Sequence, residues 1–564
     1  MKVVIVGGVA GGATAAARIR RLDEQAEIVV LERSGYVSYA NCGLPYYIGG
    51  VIEDPGALTL QTPESFFSRF RVQMKVHHEV IAIHPDKKTV SVKNLKTGEL
   101  FEESYDKLLL SPGAKPTQPR LPGVGLEQLF TLRTVEDTLR MKAYIDEKHP
   151  TSVVLAGGGF IGLELAENLR ELGMEVTIVQ RPKQLMNPFD PDMAALIHNQ
   201  MRKHGVKLAL GHTVEGFAEQ DGGVDVLLKD ETPLHADMVV LAIGVTPDTA
   251  LAKAAGLELG LKDSIVVNDR METSCPDIYA VGDAVQVKHY VTGQNTLLSL
   301  AGPANKQGRI AADNICGGDS HYRGSQGSSV LKVFDMTAAT TGVNETNAKK
   351  AGLEVDTVVL SPMSHAEYYP GGKLMTMKVV FEKETYRLLG AQIVGYDGVD
   401  KRIDVLATAI RGGMDARELK ELDLAYAPPY ASAKDPVNMA GFIIDNLANG
   451  RLRQFHLADV EKLSRDGSVT LVDTRTEAEY QQGHIEGFCN IPLDQLRQRM
   501  EEIPRDKPVY LICQSGLRSY IGCRILTGNG YDCYNFSGGY RFYDAVIHDR
   551  CLQEAAAACG MDRK

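Results

Sequence analysis

The chain has 564 residues, of which 44% are hydrophobic and 24% charged, and its formal net charge is −11 at pH 7. This length exceeds one hydrophobic core and predicts about three to five domains. The acidic balance argues against a general nucleic-acid binder, and no apolar run reaches the ~18 residues of a membrane-spanning helix. Met1 and Lys2 lead directly into an apolar segment without a signal sequence, and the nine cysteines lack framework spacing, so we expect a cytoplasmic protein with reduced thiols.

The N-terminal segment has the order of strand, glycine loop, helix and strand that a dinucleotide-binding fold requires. Its loop, 7–12, has Val9 where the usual motif has a middle glycine, and the second strand ends at Glu32, whose carboxylate would accept hydrogen bonds from a ribose. A second motif, Thr273–Ala284, resembles the downstream flavin motif of flavoproteins with two dinucleotide domains. In that motif Asp283 would contact the ribityl and phosphate region. The two motifs together predict an FAD site.

A lone cysteine, Cys42, follows in the segment Ser38–Pro45. A dithiol reductase of this architecture would carry a second cysteine five residues later, but Tyr47 occupies that position. Cys42 would therefore store oxidising equivalents as a mixed disulfide with a small thiol, as a sulfenic acid or as a persulfide. We expect it at a helix start near the flavin, where the helix N-terminus would lower the pKa of the thiol.

The same nucleotide-binding pattern recurs after residue 150. The loop Gly157–Gly162 has the complete G-x-G-x-x-G spacing, so the phosphates of a pyridine nucleotide would bind at the N-terminus of the following helix. The next strand ends at Gln180, followed by Arg181. An acidic residue there would favour NADH and a basic cluster would favour NADPH. This pair decides neither, and we favour NADH.

Beyond Val330 the pattern changes to strands and hairpins with a helix near 402–410, and the polar stretch 447–455 is predicted to be a linker. A separate α/β unit follows. No Cys/His spacing in the chain indicates a zinc site.

The second candidate reactive thiol, Cys513, comes directly after an apolar strand, Val509–Ile512. The loop Gln514–Arg518 would curl its backbone N–H groups around the sulfur and stabilise a thiolate or a persulfide. Arg518 would add positive charge.

Residues 1–445 resemble the single-cysteine branch of the pyridine nucleotide-disulfide oxidoreductases, in particular coenzyme A-disulfide reductases, and residues 456–564 resemble a rhodanese domain. The most specific parts of this resemblance are Ser38-x-x-Asn41-Cys42 and Cys513-x-x-Gly516-x-Arg518. The combination is similar to the family of fused coenzyme A-disulfide reductase–rhodanese proteins, which includes NADH-dependent persulfide reductases.

The resemblance implies an α/β fold with two nested Rossmann-like dinucleotide-binding domains, an α+β dimerisation domain that forms a homodimer, and a C-terminal rhodanese-like α/β domain. We predict an FAD-binding domain at 1–115 and 245–323, an NAD(P)H-binding domain at 116–244, a dimerisation domain at 324–446, a linker at 447–455 and a rhodanese domain at 456–564.

The motifs and the resemblance together give the expected site residues. FAD would be held by Gly7, Gly8, Ala10, Gly11, Gly12, Glu32, Arg33, Asn41, Cys42, Gly113, Gly282, Asp283 and Ala301. NAD(P)H would be held by Gly157, Gly159, Phe160, Ile161, Gly162, Gln180 and Gly244. Coenzyme A would be held by Thr14, Arg18, Arg21, Ser38, Asn41, Arg71, Asn305, Arg309 and Lys434. The resemblance further implies that two tyrosines reach the active site from the partner subunit, and these match Tyr368 and Tyr426.

The expected function is the NAD(P)H-dependent reduction of persulfides and polysulfides, such as coenzyme A persulfide, with release of hydrosulfide. Three alternatives stay open. The chain would be a coenzyme A-disulfide reductase with a separate sulfurtransferase, or an NADH oxidase or peroxidase in which Cys42 cycles through a sulfenic acid. Its C-terminal domain would otherwise be a docking module for a sulfur-carrier protein, although such a module needs neither Cys513 nor Arg518. The sequence decides neither the physiological persulfide nor how sulfur passes between the two cysteines.

Overall fold

The computed structural model describes the backbone of residues 1–559 and the side chains of residues 1–555. Residues 560–564, the end of the predicted rhodanese domain, lie outside the described residues. The chain divides into two compact units, the first formed by Met1–Lys183 with Gly205–Gly327 and the second by Gln184–His204 with the residues from Ser328 onward. The segment Gln184–His204 falls inside the predicted nucleotide-binding domain but groups with the second unit. The predicted domain boundaries stay a prediction.

Two five-stranded parallel sheets organise the first unit and agree with the two predicted dinucleotide folds. Their central strands are nearly continuous runs of Val, Ile and Leu, as expected for parallel sheets that are covered on both faces. The first sheet has the strand order Ile278–Ala280, Lys107–Leu110, Lys2–Val6, Glu27–Glu32 and Gln73–Val76. The second has the order Lys207–Leu210, Glu175–Gln180, Ser152–Ala156, Met238–Leu241 and Leu129–Phe130.

The helices Ala10–Leu22 and Phe160–Glu171 begin directly after the two glycine loops. Gly7 starts the first loop with φ +96°, and a Cβ there would lie 2.1 Å from the Ser111 carbonyl oxygen, so only glycine permits this turn. The other helices of the unit are Leu44–Ile48, Pro63–Phe70, Val135–Lys148, Ala250–Ala254 and Ala301–Ile315.

Smaller sheets complete the first unit. Two are antiparallel and three-stranded, formed by His78–His84, Thr89–Asn94 and Leu100–Ser104, and by Val214–Gln220, Gly223–Leu228 and Leu234–Ala236. The remaining two consist of Ala114–Pro116 with Val245–Pro247, and of Ile265–Val266, Val285–Lys288 and Asn295–Thr296.

The second unit begins with the antiparallel sheet that the hairpin pattern beyond Val330 predicts. Its strand order is Ser329–Val333, Met336–Gly342, Leu388–Gly395, Met375–Glu382 and Val355–Leu360. The helices associated with this part of the chain are Pro191–Lys203, Glu345–Lys350, Val399–Arg411 and Pro436–Ala448.

A five-stranded parallel sheet forms the C-terminal part of the second unit. Its order is Gln454–Phe455, Cys533–Phe536, Val509–Ile512, Thr470–Asp473 and Cys489–Asn490. The helices are Leu457–Val460, Glu477–Gln481, Leu517–Gly528 and Gly539–Cys559. Residues 454–455 lie in the predicted linker, yet they form the edge strand of this sheet. No helix within residues 1–559 combines the length and the apolar composition that a membrane span needs.

The helix Pro191–Lys203 is held in the second unit by buried polar pairs. His198 Nδ1 lies 2.8 Å from Asp549 Oδ2, while its Nε2 accepts a hydrogen bond from the Leu185 backbone N–H at 2.9 Å. An imidazole that accepts at Nε2 carries its proton on Nδ1 and donates it to Asp549. This pairing explains why the segment groups with the second unit.

Candidate active site

A cleft of about 780 Å³ follows the carboxyl ends of the first parallel sheet. Glu32 lines it, with one carboxylate oxygen accepting from the Gly8 N–H at 2.8 Å and the other from the Ser34 N–H at 2.9 Å. Burial raises the pKa of this carboxyl group. Each oxygen keeps an acceptor position for a ribose hydroxyl, and the volume is typical of a cofactor site. The cleft and its acidic ribose acceptor therefore fit FAD. Other predicted residues in the lining are Gly7, Arg33, Asn41 and Gly113.

Arg133 is a cleft residue that sequence reasoning missed. Its Nη2 lies 2.6 Å from Asp283 Oδ2, so the predicted flavin-contacting carboxylate is already paired. With its amide oriented to satisfy both groups, Asn41 accepts from Arg133 Nη1 at 3.1 Å and donates to the Arg133 carbonyl oxygen at 2.9 Å. No motif marks Arg133, because these contacts join residues far apart in the chain. The remaining predicted flavin residues lie in the first glycine loop and in the turns or helix starts nearby: Ala10, Gly11, Gly12, Gly282 and Ala301.

The second glycine loop is open at its middle glycine. A Cβ on Gly159 would meet no atom within 4 Å, and the same holds for Gly244, so a phosphate is able to approach the backbone there. The second unit of the pattern thus fits a pyridine nucleotide. Gly157 starts this loop with φ +122°, and the first turn of the following helix contains Phe160, Ile161 and Gly162.

Gln180 takes the position in the second fold that Glu32 takes in the first. Its Oε1 accepts from the Gly158 N–H at 3.0 Å, just as Glu32 accepts from Gly8. This bond uses the amide oxygen and leaves the Nε2 hydrogens to donate to the cofactor ribose. Arg181 and Lys183, which follow, are exposed.

Cys42 is the middle residue of the short 3₁₀ turn Asn41–Gly43 and precedes the helix Leu44–Ile48. The residue is exposed, yet partial burial of the thiol raises its pKa; Glu164 raises it further, while Arg133 opposes the shift. The expectation of a lowered pKa is therefore wrong for this arrangement. The helix has only five residues, and desolvation with a nearby carboxylate outweighs its dipole.

Glu164, on the helix that follows the second glycine loop, is a second residue that sequence reasoning missed. Burial raises its pKa to about 7, Glu167 adds to the shift, and a hydrogen bond from Tyr46 opposes it. A carboxyl group that titrates near neutrality thus lies within electrostatic range of the Cys42 thiol. Tyr46 and Glu164 meet only through packing of their helices, so no local pattern announces the pair.

Several predicted coenzyme A residues lie on the packed helices Ala10–Leu22 and Ala301–Ile315. Thr14 Oγ1 donates to Asn305 Oδ1 at 2.8 Å. Arg18 Nε lies 2.7 Å from Asp313 Oδ1, so its charge is already matched. The exposed residues Arg21 and Arg309 have no carboxylate at salt-bridge distance within the described part of the chain.

The other predicted coenzyme A residues are dispersed. Ser38 adopts a left-handed φ of +47° and donates its backbone N–H to the Gly8 carbonyl oxygen at 2.8 Å, beside the first loop. Arg71 is exposed and follows the end of the helix Pro63–Phe70. Lys434 belongs to the second unit.

The structure joins the two predicted tyrosines. The hydroxyl oxygens of Tyr368 and Tyr426 lie 2.5 Å apart, and the side chains belong to residues that are 74% and 46% exposed. This hydrogen bond raises the pKa of Tyr426. A phenol with a raised pKa keeps its proton at neutral pH and is able to donate it.

Cys513 is fully buried at the end of the strand Val509–Ile512. Its Sγ accepts hydrogen bonds from the Gly516 backbone N–H at 3.1 Å and from the Ser519 hydroxyl at 3.2 Å. Gly516 has φ +95°, which turns its N–H back towards the sulfur. The loop thus supplies one of the expected backbone donors and a side-chain donor that was not predicted, both suited to a thiolate.

Arg518 contributes less free charge than expected. It forms two hydrogen bonds with Glu479, at 2.8 and 2.7 Å, and this contact lowers the pKa of Glu479 to about 2. Arg475 is likewise paired with buried Asp473, at 2.7 Å. The two arginines stiffen the surroundings of Cys513 with charges that are already matched.

The segment after the turn at 537–539 supports the Cys513 loop from behind. The Tyr540 N–H donates to the Cys513 carbonyl oxygen at 2.7 Å, and the Arg541 N–H donates to the Gln514 carbonyl oxygen at 3.1 Å. A Cβ on Gly539 would lie 2.7 Å from the Gln514 backbone, so this close approach requires glycine. In the part of the chain that the structure describes, no group of three or more Cys, His, Asp or Glu side chains is arranged to hold a metal ion.

Three family models match successive parts of the chain. The pyridine nucleotide-disulphide oxidoreductase model matches residues 1–308, its dimerisation-domain model matches 328–436, and the rhodanese-like domain model matches 456–545. The coenzyme A disulfide reductase of Staphylococcus aureus (strain JH9) is 37% identical over 444 residues, which are 78% of this chain and 99% of that protein.

Two solved structures are similar over nearly the whole chain. The crystal structure of reduced Bacillus anthracis CoADR-RHD has a TM-score of 0.95 and 48% identity, covering 97% of this chain and 98% of that one. The NAD-dependent persulfide reductase from A. fulgidus has a TM-score of 0.90 and 37% identity, covering 96% and 100%. The chain therefore belongs to the pyridine nucleotide-disulphide oxidoreductase family and carries a rhodanese-like domain at its C-terminal end.

Proposed function

We propose that the protein is an NAD(P)H-dependent reductase of persulfides and polysulfides, with coenzyme A persulfide as a substrate and hydrosulfide as a product. The observation that carries this proposal is the pairing, on one chain, of a lone reductase cysteine with a loop that holds a second sulfur by two hydrogen bonds. A similar protein of the same domain order is an NAD-dependent persulfide reductase.

Cys42 would carry the reductive half of the reaction. Its thiolate attacks the inner sulfur of the persulfide, the outer sulfur leaves as hydrosulfide, and a mixed disulfide between Cys42 and coenzyme A forms. Two electrons and a proton then release coenzyme A as a thiol and restore the Cys42 thiolate. When bound, FAD would supply the two-electron transfer from NAD(P)H to this disulfide.

The remaining residues bind substrate or handle protons in this proposal. Tyr426 and Tyr368 donate a proton to the departing sulfur, and the raised pKa of Tyr426 suits that task. We expect them to act across a homodimer formed through residues 324–446. Coenzyme A phosphates bind to the exposed cations Arg21 and Arg309.

Cys513 would collect sulfane sulfur and pass it towards coenzyme A or Cys42. The hydrogen bonds from Gly516 and Ser519 that stabilise its thiolate suit a persulfide equally well. The same geometry supports sulfur transfer that is separate from reduction. A coenzyme A-disulfide reductase with an independent sulfurtransferase is thus the second candidate, favoured by the name of the Staphylococcus aureus relative.

Anaerobic NADH oxidation with coenzyme A persulfide, coenzyme A disulfide and polysulfide in turn tests the proposal. Wild type is compared with Cys42→Ser and Cys513→Ser, and hydrosulfide is trapped. Faster turnover of the persulfide, with hydrosulfide release that requires Cys42, is the expected result. Preference for the disulfide without hydrosulfide establishes the second candidate, and NADH consumption by oxygen or peroxide alone overturns both in favour of sulfenic-acid chemistry.

A further inference from the structure

A cavity of about 790 Å³ adjoins the Cys513 loop within the second unit. One wall is the loop Gln514–Arg518 itself, whose Gly516 nitrogen contacts the buried sulfur. The opposite wall comes from the antiparallel sheet and from the helix Pro436–Ala448. Its apolar lining includes Leu360, Pro362, Met363, Met439, Phe442 and Ile443. This volume is well beyond the needs of a small inorganic sulfur anion and lies in the range of about 300–1,000 Å³ for organic ligands.

Arg541 lines this cavity and differs from the other two arginines near the Cys513 loop. Arg518 is bound to Glu479 and Arg475 to Asp473. The Arg541 side chain is half-buried, and no carboxylate of the described residues lies within salt-bridge distance of it. Burial lowers the pKa of its guanidinium group, with Glu479 opposing the shift. A half-buried cation without a partner is costly unless a ligand supplies the negative charge.

A second cation, Lys434, lines the same cavity. It is exposed and likewise has no carboxylate at salt-bridge distance in the described part of the chain. The sequence assigned Lys434 to coenzyme A beside Cys42, whereas here it shares a cavity with the loop of the other cysteine. The site therefore combines an apolar wall with two unmatched positive charges, next to a sulfur-holding loop.

We propose that this cavity binds the organic partner of the Cys513 sulfur exchange, a thiol or persulfide whose anionic group is held by Arg541 and Lys434 and whose chain lies along the Phe442 wall. The inference deepens the proposed function and rests on Cys513 as a sulfur acceptor. Both phosphorylated and carboxylated thiols present this chemistry.

The exchange itself is balanced without a further reactant. The Cys513 thiolate attacks the outer sulfur of the persulfide anion, a new S–S bond forms at Cys513, the donor's S–S bond breaks, and the donor leaves as a thiolate. One sulfur atom changes partner, and no oxidant or reductant is consumed. Arg541 positions the donor, because its backbone N–H binds the Gln514 carbonyl oxygen and so fixes its side chain beside the loop.

The test measures sulfur transfer to cyanide by the full-length holoenzyme, with coenzyme A persulfide, glutathione persulfide and thiosulfate as donors. Arg541→Gln should raise the KM for organic persulfides about tenfold and lower kcat less than about threefold, as expected for loss of a charge-assisted contact. Arg541→Lys should recover most of the affinity. Arg550→Gln, which removes an exposed arginine paired with Glu461 on the same helix, is the matched control.

The donors separate the sources of the anionic group. A larger KM effect for coenzyme A persulfide identifies a phosphorylated thiol, and a larger effect for glutathione persulfide identifies a carboxylated one. An equal effect on thiosulfate, together with wild-type preference for thiosulfate, overturns the inference. Unchanged KM values in Arg541→Gln also overturn it.

Phe442→Gln keeps the inference testable if Arg541→Gln does not fold, since Phe442 is 39% exposed. It should raise the KM for organic persulfides and leave that for thiosulfate unchanged; equal effects on both donors contradict the apolar wall. NADH-dependent persulfide reduction through Cys42 is assayed in parallel. Its absence in wild type, with donor selectivity intact, refutes the proposed function and leaves this binding site standing.

Discussion

The two reactive cysteines occupy opposite surroundings. Cys513 is fully buried, and its own loop donates two hydrogen bonds to the sulfur. Cys42 lies on an exposed turn, where partial burial and Glu164 raise the pKa of the thiol. The first sulfur is thus prepared by its own backbone, whereas the second depends on groups that other parts of the chain bring to it. A persistent persulfide carrier suits the first environment, and a thiol in redox exchange suits the second.

Reciprocal substitution of the cysteines has the largest expected effect. Cys42→Ser should lower NADH-dependent persulfide reduction by about a thousandfold or more, since it removes the attacking group, and should leave sulfur transfer to cyanide intact. Cys513→Ser should do the reverse with thiosulfate as the donor. Steady-state assays of both reactions in both variants measure this. Loss of both activities on either substitution would show that the two centres act as one.

Ser519→Ala tests the preparation of Cys513. It deletes one hydrogen bond to the sulfur in a nearly isosteric change, and a bond to a charged group contributes about 1.5–3 kcal/mol, so sulfur transfer should fall about tenfold. The rate of cyanide-dependent transfer measures the effect. Ser464→Ala, on an exposed loop of the same domain, is the control. Equal rates in Ser519→Ala and wild type would assign the stabilisation to the Gly516 N–H alone.

Glu164→Gln tests the contrasting environment of Cys42. Ionised Glu164 raises the pKa of the thiol, and its own pKa is about 7, so the effect exists only above that pH. Alkylation of Cys42 should match wild type near pH 6 and become about two- to threefold faster at pH 8. Peptide mass spectrometry against pH measures it. Glu171→Gln, exposed on the same helix, should leave the profile unchanged. A profile shifted equally at all pH values contradicts this electrostatic cause.

The smallest effect concerns the polar scaffold of Cys513. Contact with Arg518 lowers the pKa of Glu479 to about 2, so this carboxylate stabilises the fold above its ordinary pKa of 4.5 and loses that contribution as pH falls towards 2. The pair is one-third exposed, so solvent screens it. Glu479→Gln should lower the thermal unfolding midpoint by about 2 °C at pH 7 and less at pH 3. The opposite order would remove the pair from the scaffold.

Local patterns predicted the features that local physics determines. The glycine loops, the strand ending at Glu32 and the strand Val509–Ile512 all follow from steric and periodicity rules that act over a few residues. Arg133, the Tyr46–Glu164 pair and Arg541 could not be predicted, because their surroundings form only when distant segments pack. The raised pKa of Cys42 has the same origin: a sequence shows a helix start, but not the burial and the carboxylate that outweigh it.

The bond between Gln180 and the Gly158 N–H has an evolutionary consequence. An amide satisfies the loop as well as a carboxylate does, so this position is free to lose its charge without loss of the turn. Gln and Glu codons differ at a single base. One nucleotide substitution is therefore enough to place a negative charge where a ribose 2′-phosphate would lie, and to bind the enzyme to the catabolic rather than the biosynthetic pool of reductant.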